Sequence, residues 1–262
     1  MTPRLSQAAA ELLADAWRTG TTLDALPGEC RPRSAAEAYR IQDKFARALG
    51  EPIAGWKIGC TSAAVRKILK TRTPFCGRIF ASRLFASGVT LGGASYKLRG
   101  LEGEFAFKLK RDLPARRRAY RSSEVLDAIG SLHPAIEVVD PRFTDWLVVG
   151  IHSIIADLGA DGAVVLGAAV PRWRRIDLRK APVRMAINGK IVGEGTGADC
   201  MGDPVAALVW LANELRRRAG LKAGQVVSTG ACCGFHRAAA GDRGVADFGR
   251  LGRVEMRFAA PS

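Results

Sequence analysis

The chain of 262 residues is 48% hydrophobic and 25% charged, an ordinary balance for a globular protein with a full core, and carries a net charge of +15. It has no apolar run of bilayer-spanning length and no apolar stretch of signal-peptide type at its start, so a membrane role is excluded and a cytoplasmic protein is predicted. Cys30, Cys60, Cys76, Cys200, Cys232 and Cys233 lack Cys-x-x-Cys or paired Cys/His spacing, which leaves neither a zinc site nor a disulfide framework and predicts free thiols.

Leu5, Ala9, Leu12, Leu13 and Ala16 recur at helical spacing with Gly20 as a C-terminal cap, so residues 5–17 are predicted to be helical. Ser34 and Glu37 form a capping box that opens a second helix over 35–49, with Tyr39, Ile41 and Phe45 on its apolar side and Gly50 after it. From Ile53 the chain changes to short apolar runs broken by glycine, beginning with Ile53-Ala-Gly-Trp-Lys-Ile-Gly59 and a short helix near 62–69. Strands are predicted near 101–109, 135–140, 163–166, 183–187 and 190–194, and helices near 122–131 and 150–158. Asn188-Gly189 supplies the positive-φ pair of a type I′ hairpin turn. Asp203-Pro204 opens a further helix through Leu208, Leu211 and Leu215 to Gly220, and residues 225–230 and 252–258 read as closing strands. The alternation is too irregular for a doubly wound sheet. It predicts an α+β fold, with an N-terminal helical extension (1–52) packed on a curved mixed β-sheet (53–262).

Glu102, Glu104 and Glu137 interrupt stretches that otherwise read as buried strands. Strand alternation puts Glu102 and Glu104 on one face, Cα atoms roughly 7 Å apart, and Leu101, Phe105 and Phe107 on the other. Glu137 falls with Ala135 and Val139 in a second apolar run. Ionised carboxylates in such surroundings call for a cation, a salt-bridge partner or a proton, and oxygen-only ligands favour Mg²⁺ or Mn²⁺ over zinc. The plainer reading of Glu-x-Glu is the solvent face of a half-exposed sheet.

Arg116-Arg117-Arg118, Arg174-Arg175 and Arg216-Arg217-Arg218 account for much of the basic character. They fall in loops and at a helix end, without an aromatic platform, so no nucleic-acid partner is predicted; the same field attracts a small anion. Gly193-Glu-Gly-Thr-Gly197 follows a hairpin and does not open a helix from a parallel strand, which argues against a nucleotide loop. His152 is read as structural within a helix, His133 as preceding a strand and His236 as lying in a loop.

Taken together these segments resemble the fumarylacetoacetate hydrolase superfamily, in its 2-keto-4-pentenoate hydratase and 4-oxalocrotonate decarboxylase branch. The resemblance runs through Gly55-Trp-Lys-Ile-Gly59 with Thr61-Ser62, Glu102-Gly-Glu104, Pro134-Ala-Ile-Glu-Val-Val-Asp140 with Arg142, Ile155-Ala-Asp157, Gly202-Asp-Pro204 and Thr229-Gly230. It implies a mixed sheet rolled around a divalent-metal site ligated by Glu102, Glu104 and Glu137. It further implies an active-site lysine at Lys57, a substrate carboxylate held at Thr229 and Gly230, and a homo-oligomer.

The resemblance also implies chemistry on a small anionic 2-keto acid chelated to Mg²⁺ or Mn²⁺: hydration of a 2-hydroxy-2,4-dienoate, or loss of CO₂ in a decarboxylase. Lys57 would position the substrate carboxylate or assist proton transfer. Many family hydratases carry Pro-Asp-aromatic-Gly after the lysine strand, whereas here the segment reads Pro74-Phe75-Cys76-Gly77. Phe75 cannot move a proton, which keeps decarboxylation, a shifted proton donor and a non-catalytic 2-keto acid binding protein open.

Overall fold

A computed structural model describes residues 1–260. In chain order its main elements are α1 (Pro3–Thr19), α2 (Ala35–Leu49), β1 (Ile53–Gly59), α3 (Ala63–Ile68), β2 (Phe75–Phe80), β3 (Leu84–Ala86), β4 (Val89–Leu91) and β5 (Gly100–Leu109). There follow α4 (Ser122–Ala128), β6 (Ile129–Val139), α5 (Ile151–Ala156), β7 (Asp161–Leu166), β8 (Pro182–Ile187), β9 (Lys190–Thr196) and α6 (Pro204–Leu215). The last strands are β10 (Val226–Ser228), β11 (Phe235–Arg237), β12 (Arg243–Asp247) and β13 (Arg253–Phe258).

The strands form two mixed sheets, in keeping with the mixed α and β expectation. The larger runs β2-β1-β10-β5-β6-β7-β3 with β11 also on β5, and the smaller runs β4-β13-β12-β8-β9. β1 with β10, β3 with β7 and β4 with β13 are parallel pairs, and the remaining pairs are antiparallel. Ile79 of β2, Val226 of β10, Ala106 of β5, Ala135 of β6 and Val164 of β7 share one buried cluster.

The helix-end signals act where the sequence puts them. The Thr2 side chain caps α1, with Pro3 in its first turn and Gly20 in the left-handed conformation; Ser34 caps α2, and Gly50 closes it. Trp17 of α1 meets Phe45 of α2 and Phe80 of β2 edge-on, at centroid distances of 6.1 and 5.5 Å. Buried Gln42 ties α2 to the body, its amide donating to Cys76 O at 3.1 Å and Ile155 O at 2.6 Å.

Several boundaries move. The helix expected over 122–131 ends at Ala128, and β6 begins at Ile129 because β5 offers it a partner along nearly its whole length. His133 therefore lies inside β6, and His236 lies on β11 and not in a loop. Residues 75–80 form a strand whose short Phe-Cys-Gly-Arg-Ile-Phe run shows no clear alternation; it is set by pairing with β1.

Behind the sheet Arg142 clamps the β6 to β7 connection. Its Nε and backbone N–H donate to the Asp157 carboxylate at 2.5 and 2.8 Å, and Nη1 donates to Asp140 O at 2.9 Å and Asp161 O at 2.5 Å. Both partners are buried. Asp157→Ala should therefore cost about 3–5 kcal/mol in urea unfolding, because it strands a buried guanidinium, whereas removing the exposed Arg184–Glu194 pair should cost under about 1 kcal/mol.

Candidate active site

The antiparallel register of β5 and β6 sets Glu102 directly opposite Glu137, with Glu104 two residues along opposite Ala135. Opposed residues of an antiparallel pair share a face, so all three carboxylates project together. One oxygen of each lies within 4.8 Å of the others. Lys57 joins the same face through β10: it registers with Ser228, which registers with Ala106 of β5. Glu104, Glu137 and Lys57 are buried, while half-buried Glu102 marks the side open to solvent.

The Glu104 Oε2 atom accepts from the Ser228 hydroxyl at 2.5 Å and the Gly230 N–H at 2.8 Å. Its Oε1 and both oxygens of Glu137 have no hydrogen-bond partner. Lys57 Nζ stands 2.7 Å from Glu137 Oε1, a close ion pair lacking the alignment of a hydrogen bond. Burial, then the charge of Glu137, pushes the Glu102 carboxyl up to about 7. Burial with Glu137 and Glu102 raises Glu104 well above the carboxylate range. For Lys57, burial opposes the ammonium form, but attraction by Glu137, Glu102 and Glu104 outweighs it and lifts the pKa above that of an ordinary lysine.

One ammonium against three ionised carboxylates leaves two negative charges, the charge of a single divalent cation. The orphaned oxygens belong to a cluster that offers one oxygen from each glutamate within 4.8 Å of the others, and an all-oxygen donor set suits a hard cation such as Mg²⁺, Mn²⁺ or Ca²⁺. The residues present fit a divalent metal.

The other expected residues border this cluster. Thr229 donates its N–H and hydroxyl to Phe105 O at 3.0 and 2.8 Å, and the Gly230 N–H is committed to Glu104, so both amides are engaged beside the carboxylates. Gly230 has φ +111°, and a Cβ there would lie 2.2 Å from Thr61 Oγ1, which requires glycine. Phe75 is buried with its ring centroid 5.6 Å from Lys57 Nζ. Sequence reasoning missed Ser228 and Asp161. Ser228 sits in a three-residue strand without a motif, and Asp161 opens β7, where its fully buried carboxyl has neither oxygen hydrogen-bonded. None of the histidines joins the cluster. His133 bonds Ser131 Oγ and Gly167 O, and His236 bonds Cys233 O. All six cysteines are free and buried.

Residues 67–259 match the model of the fumarylacetoacetate (FAA) hydrolase C-terminal region. The chain is 34% identical to a 2-keto-4-pentenoate hydratase of Burkholderia vietnamiensis, covering 94% of each chain. It is also 34% identical to a 2-hydroxyhexa-2,4-dienoate hydratase of Comamonas testosteroni, covering 88% of this chain and 89% of that one. Among solved structures it superposes on 4-oxalocrotonate decarboxylase from Pseudomonas putida G7, complexed with magnesium and adipate, with a TM-score of 0.89, 26% identity and 98% of each chain covered.

Two outcomes follow from the charge balance. The Glu102 proton is held with a pKa of about 7 against an ordinary 4.5, so its contribution to metal-free stability is complete below pH 4.5 and lost as pH rises through 7. Calorimetry should show this as a falling metal-free Tm across that window, with a divalent cation that binds the cluster restoring stability at about pH 8 by about 2.7 kcal/mol at a hundredfold excess over its Kd. By titration calorimetry, Glu104→Gln should lose metal binding with its fold intact, and Ser228→Ala should weaken it about 10–100-fold by releasing Glu104.

Proposed function

This chain belongs to the fumarylacetoacetate hydrolase family, and from that membership we propose that it is a divalent-metal-dependent hydratase of 2-hydroxy-2,4-dienoates. It forms 4-hydroxy-2-keto acids in the breakdown of aromatic compounds. The observation that carries the reading is the set of buried Glu104 and Glu137 oxygens left without a hydrogen bond beside Lys57. The 34% identity to two dienoate hydratases over most of the chain supports the choice of reaction.

In this reading Glu102, Glu104 and Glu137 hold Mg²⁺ or Mn²⁺. The chemistry a bound cation supplies there is Lewis-acid stabilisation of negative charge on the 2-oxygen of the substrate. Lys57 presents a positive charge to an anionic substrate while standing in an ion pair with Glu137. Ser228 and Gly230 fix which oxygen of Glu104 faces the site. Phe75 supplies an apolar wall beside the ammonium, which keeps water away from Lys57 and suits the hydrocarbon part of a dienoate. On the open side Phe235 registers with Glu102 and tilts against Trp146 at 6.1 Å, an aromatic border for the substrate's far end. Thr229 seats Gly230 and through it borders the substrate carboxylate.

We also read the larger sheet as curling into a roll, because Ile79 and Val164 share a cluster despite lying on well-separated strands. Exposed Leu147 and Val148 support self-association into a homo-oligomer. A second reading, decarboxylation of a 4-oxalocrotonate-type acid, is favoured by Phe75, which leaves that wall without a proton donor, and by the likeness to the decarboxylase over 98% of the chain.

The purified protein, with and without Mg²⁺ or Mn²⁺, should be mixed with 2-hydroxypenta-2,4-dienoate and separately with 4-oxalocrotonate. Metal-dependent loss of ultraviolet absorbance with a mass gain of one water is the expected result. Loss of CO₂ would establish the second reading, and binding without turnover of either would replace both with a 2-keto acid binding role. Lys57→Met should lower kcat about 10²–10⁴-fold while metal affinity is retained, since the carboxylates then have no competing cation. Equal losses of both would mean that Lys57 only holds the site together.

A further inference from the structure

Resting on the hydratase reading, we infer that Asp161 is the acid–base carboxyl of this site, the group that gives the substrate a proton and takes one back. Converting a dienol to its ketone and adding water both move protons, and the residues around the carboxylates leave few groups free to do it. Glu102, Glu104 and Glu137 are committed to a cation, and Phe75 has no proton to move. The Ser228 hydroxyl is donated to Glu104, and Lys57 is held as an ammonium by its three glutamate neighbours. Burial pushes the Cys60 thiol up to about 12.

Asp161 differs from all of these. Apart from Glu104 and Glu137, it is the one buried carboxylate among the described residues left without a hydrogen bond to an oxygen. The other buried aspartates are hydrogen-bonded: Asp140 Oδ1 accepts from the N–H groups of Lys97, Leu98 and Arg99, and both Asp157 oxygens accept from Arg142. An unpaired buried carboxyl costs about 1–3 kcal/mol or more, so its persistence calls for a use.

The backbone around it borders the site. Asp161 opposes Val139 at the irregular end of the β6–β7 ladder, and Val139 is two residues from Glu137 on the same strand face. Two residues before Asp161, a Cβ on Gly159 would touch Lys57 Cδ at 3.3 Å and the Phe75 ring at 2.7 Å. Asp161 thus lies between a residue against Lys57 and the strand beside Glu137. The charged groups around it are Glu137 on β6, Lys57 on β1, Arg142 after β6 and Arg83 between β2 and β3, with Tyr96 close by. Burial first, then Glu137, pushes its carboxyl up to about 7, opposed by Lys57 and the arginines, so both protonation states are accessible near neutrality.

For a 2-hydroxypenta-2,4-dienoate the step balances without a further reagent. The 2-hydroxyl O–H bond breaks and its electron pair becomes the C2=O π bond. The C2=C3 pair moves to C3=C4, and the C4=C5 pair takes the Asp161 proton as a new C5–H bond. The released hydroxyl proton restores the Asp161 carboxyl, and water then adds its OH to C4 and its H to C3.

The test compares wild type, Asp161→Asn, Asp161→Glu and the double variant Phe75→Asp/Asp161→Asn. Readouts are kcat and KM across pH, Mg²⁺ affinity, Tm, and deuterium incorporated at C5 in D₂O. Asp161→Asn should lose about 10²–10⁴-fold in kcat and in the rate of C5 labelling, with KM and Mg²⁺ affinity within a few-fold and the near-neutral limb of the pH profile gone. Asp161→Glu should keep a shifted limb, and a carboxyl returned on the opposite wall in the double variant should recover part of kcat. Wild-type turnover with an Asp161→Asn kcat within threefold and an unchanged pH profile overturns the inference and leaves the hydratase reading standing. Absence of wild-type turnover removes that reading and this inference with it. Should Asp161→Asn fail to fold, the pH profile of Asp161→Glu decides: a shifted limb supports the role and an unshifted one overturns it.

Discussion

Three carboxylates and one ammonium share a sheet face that is buried except at Glu102, and the rest of the site is arranged around that imbalance. Desolvating a lone carboxylate costs several kcal/mol, so the fold must neutralise the group with protons or with a cation. The raised pKa values of Glu102 and Glu104 are the proton solution, and the orphaned oxygens of Glu104 and Glu137 are the mark of the cation solution. Lys57 cannot supply the difference alone. It holds one unit of positive charge in place, so the three carboxylates, when all ionised, leave two negative charges to be balanced.

The register that gathers the glutamates is fixed from the other face of the same strands. Gly103, between Glu102 and Glu104, faces the second sheet, where a Cβ would lie 2.9 Å from Val183 Cγ1 and 3.0 Å from Cys233 Sγ. Any side chain there would push β5 away from β8 and carry both glutamates with it. Phe105 packs edge-on against Phe248 on that side, with ring centroids 5.2 Å apart. Core packing thus sets the position of the carboxylates. A one-residue slip would bury Leu101 and Phe105 in the site and drive the glutamates into the core.

Glu102, Glu104 and Glu137 were legible in the sequence because strand alternation has a period of two and because acids within apolar runs stand out. The helices were legible through Ser34, Gly20, Gly50 and Asp203-Pro204, whose effects are local, whereas the Thr2 cap of α1 was not read. The residues that escaped depend on distant partners. β2 exists because β1 lies beside it, β11 is held by β5, and Ser228, in the expected strand β10, gains its role only through Glu104. Asp161 could not be singled out because being unpartnered is a property of the space around a residue. The turn after Asp157 carries positive φ at Leu158, Gly159 and Ala160, a geometry that no simple residue preference announces for leucine and alanine.

The net charge of +15 bears on function through distance. The Arg116-Arg117-Arg118 and Arg216-Arg217-Arg218 clusters are partly or fully exposed. Exposed charges are screened over about 8 Å at physiological ionic strength. Within the cluster, by contrast, ligand oxygens lie within 4.8 Å of one another in a poorly screened interior. A unit pair at about 4 Å and an effective dielectric near 20 is worth about 4 kcal/mol, which outweighs any screened surface arginine. The basic exterior therefore does not repel the cation once it is seated. Its reach extends to molecules still in solution, where it raises the encounter rate of anions and slows that of cations. Under the proposed function, in which one divalent ion is held and anionic substrates are exchanged, the protein gains from that division. The acidic interior keeps what is retained, and the basic surface gathers what is turned over.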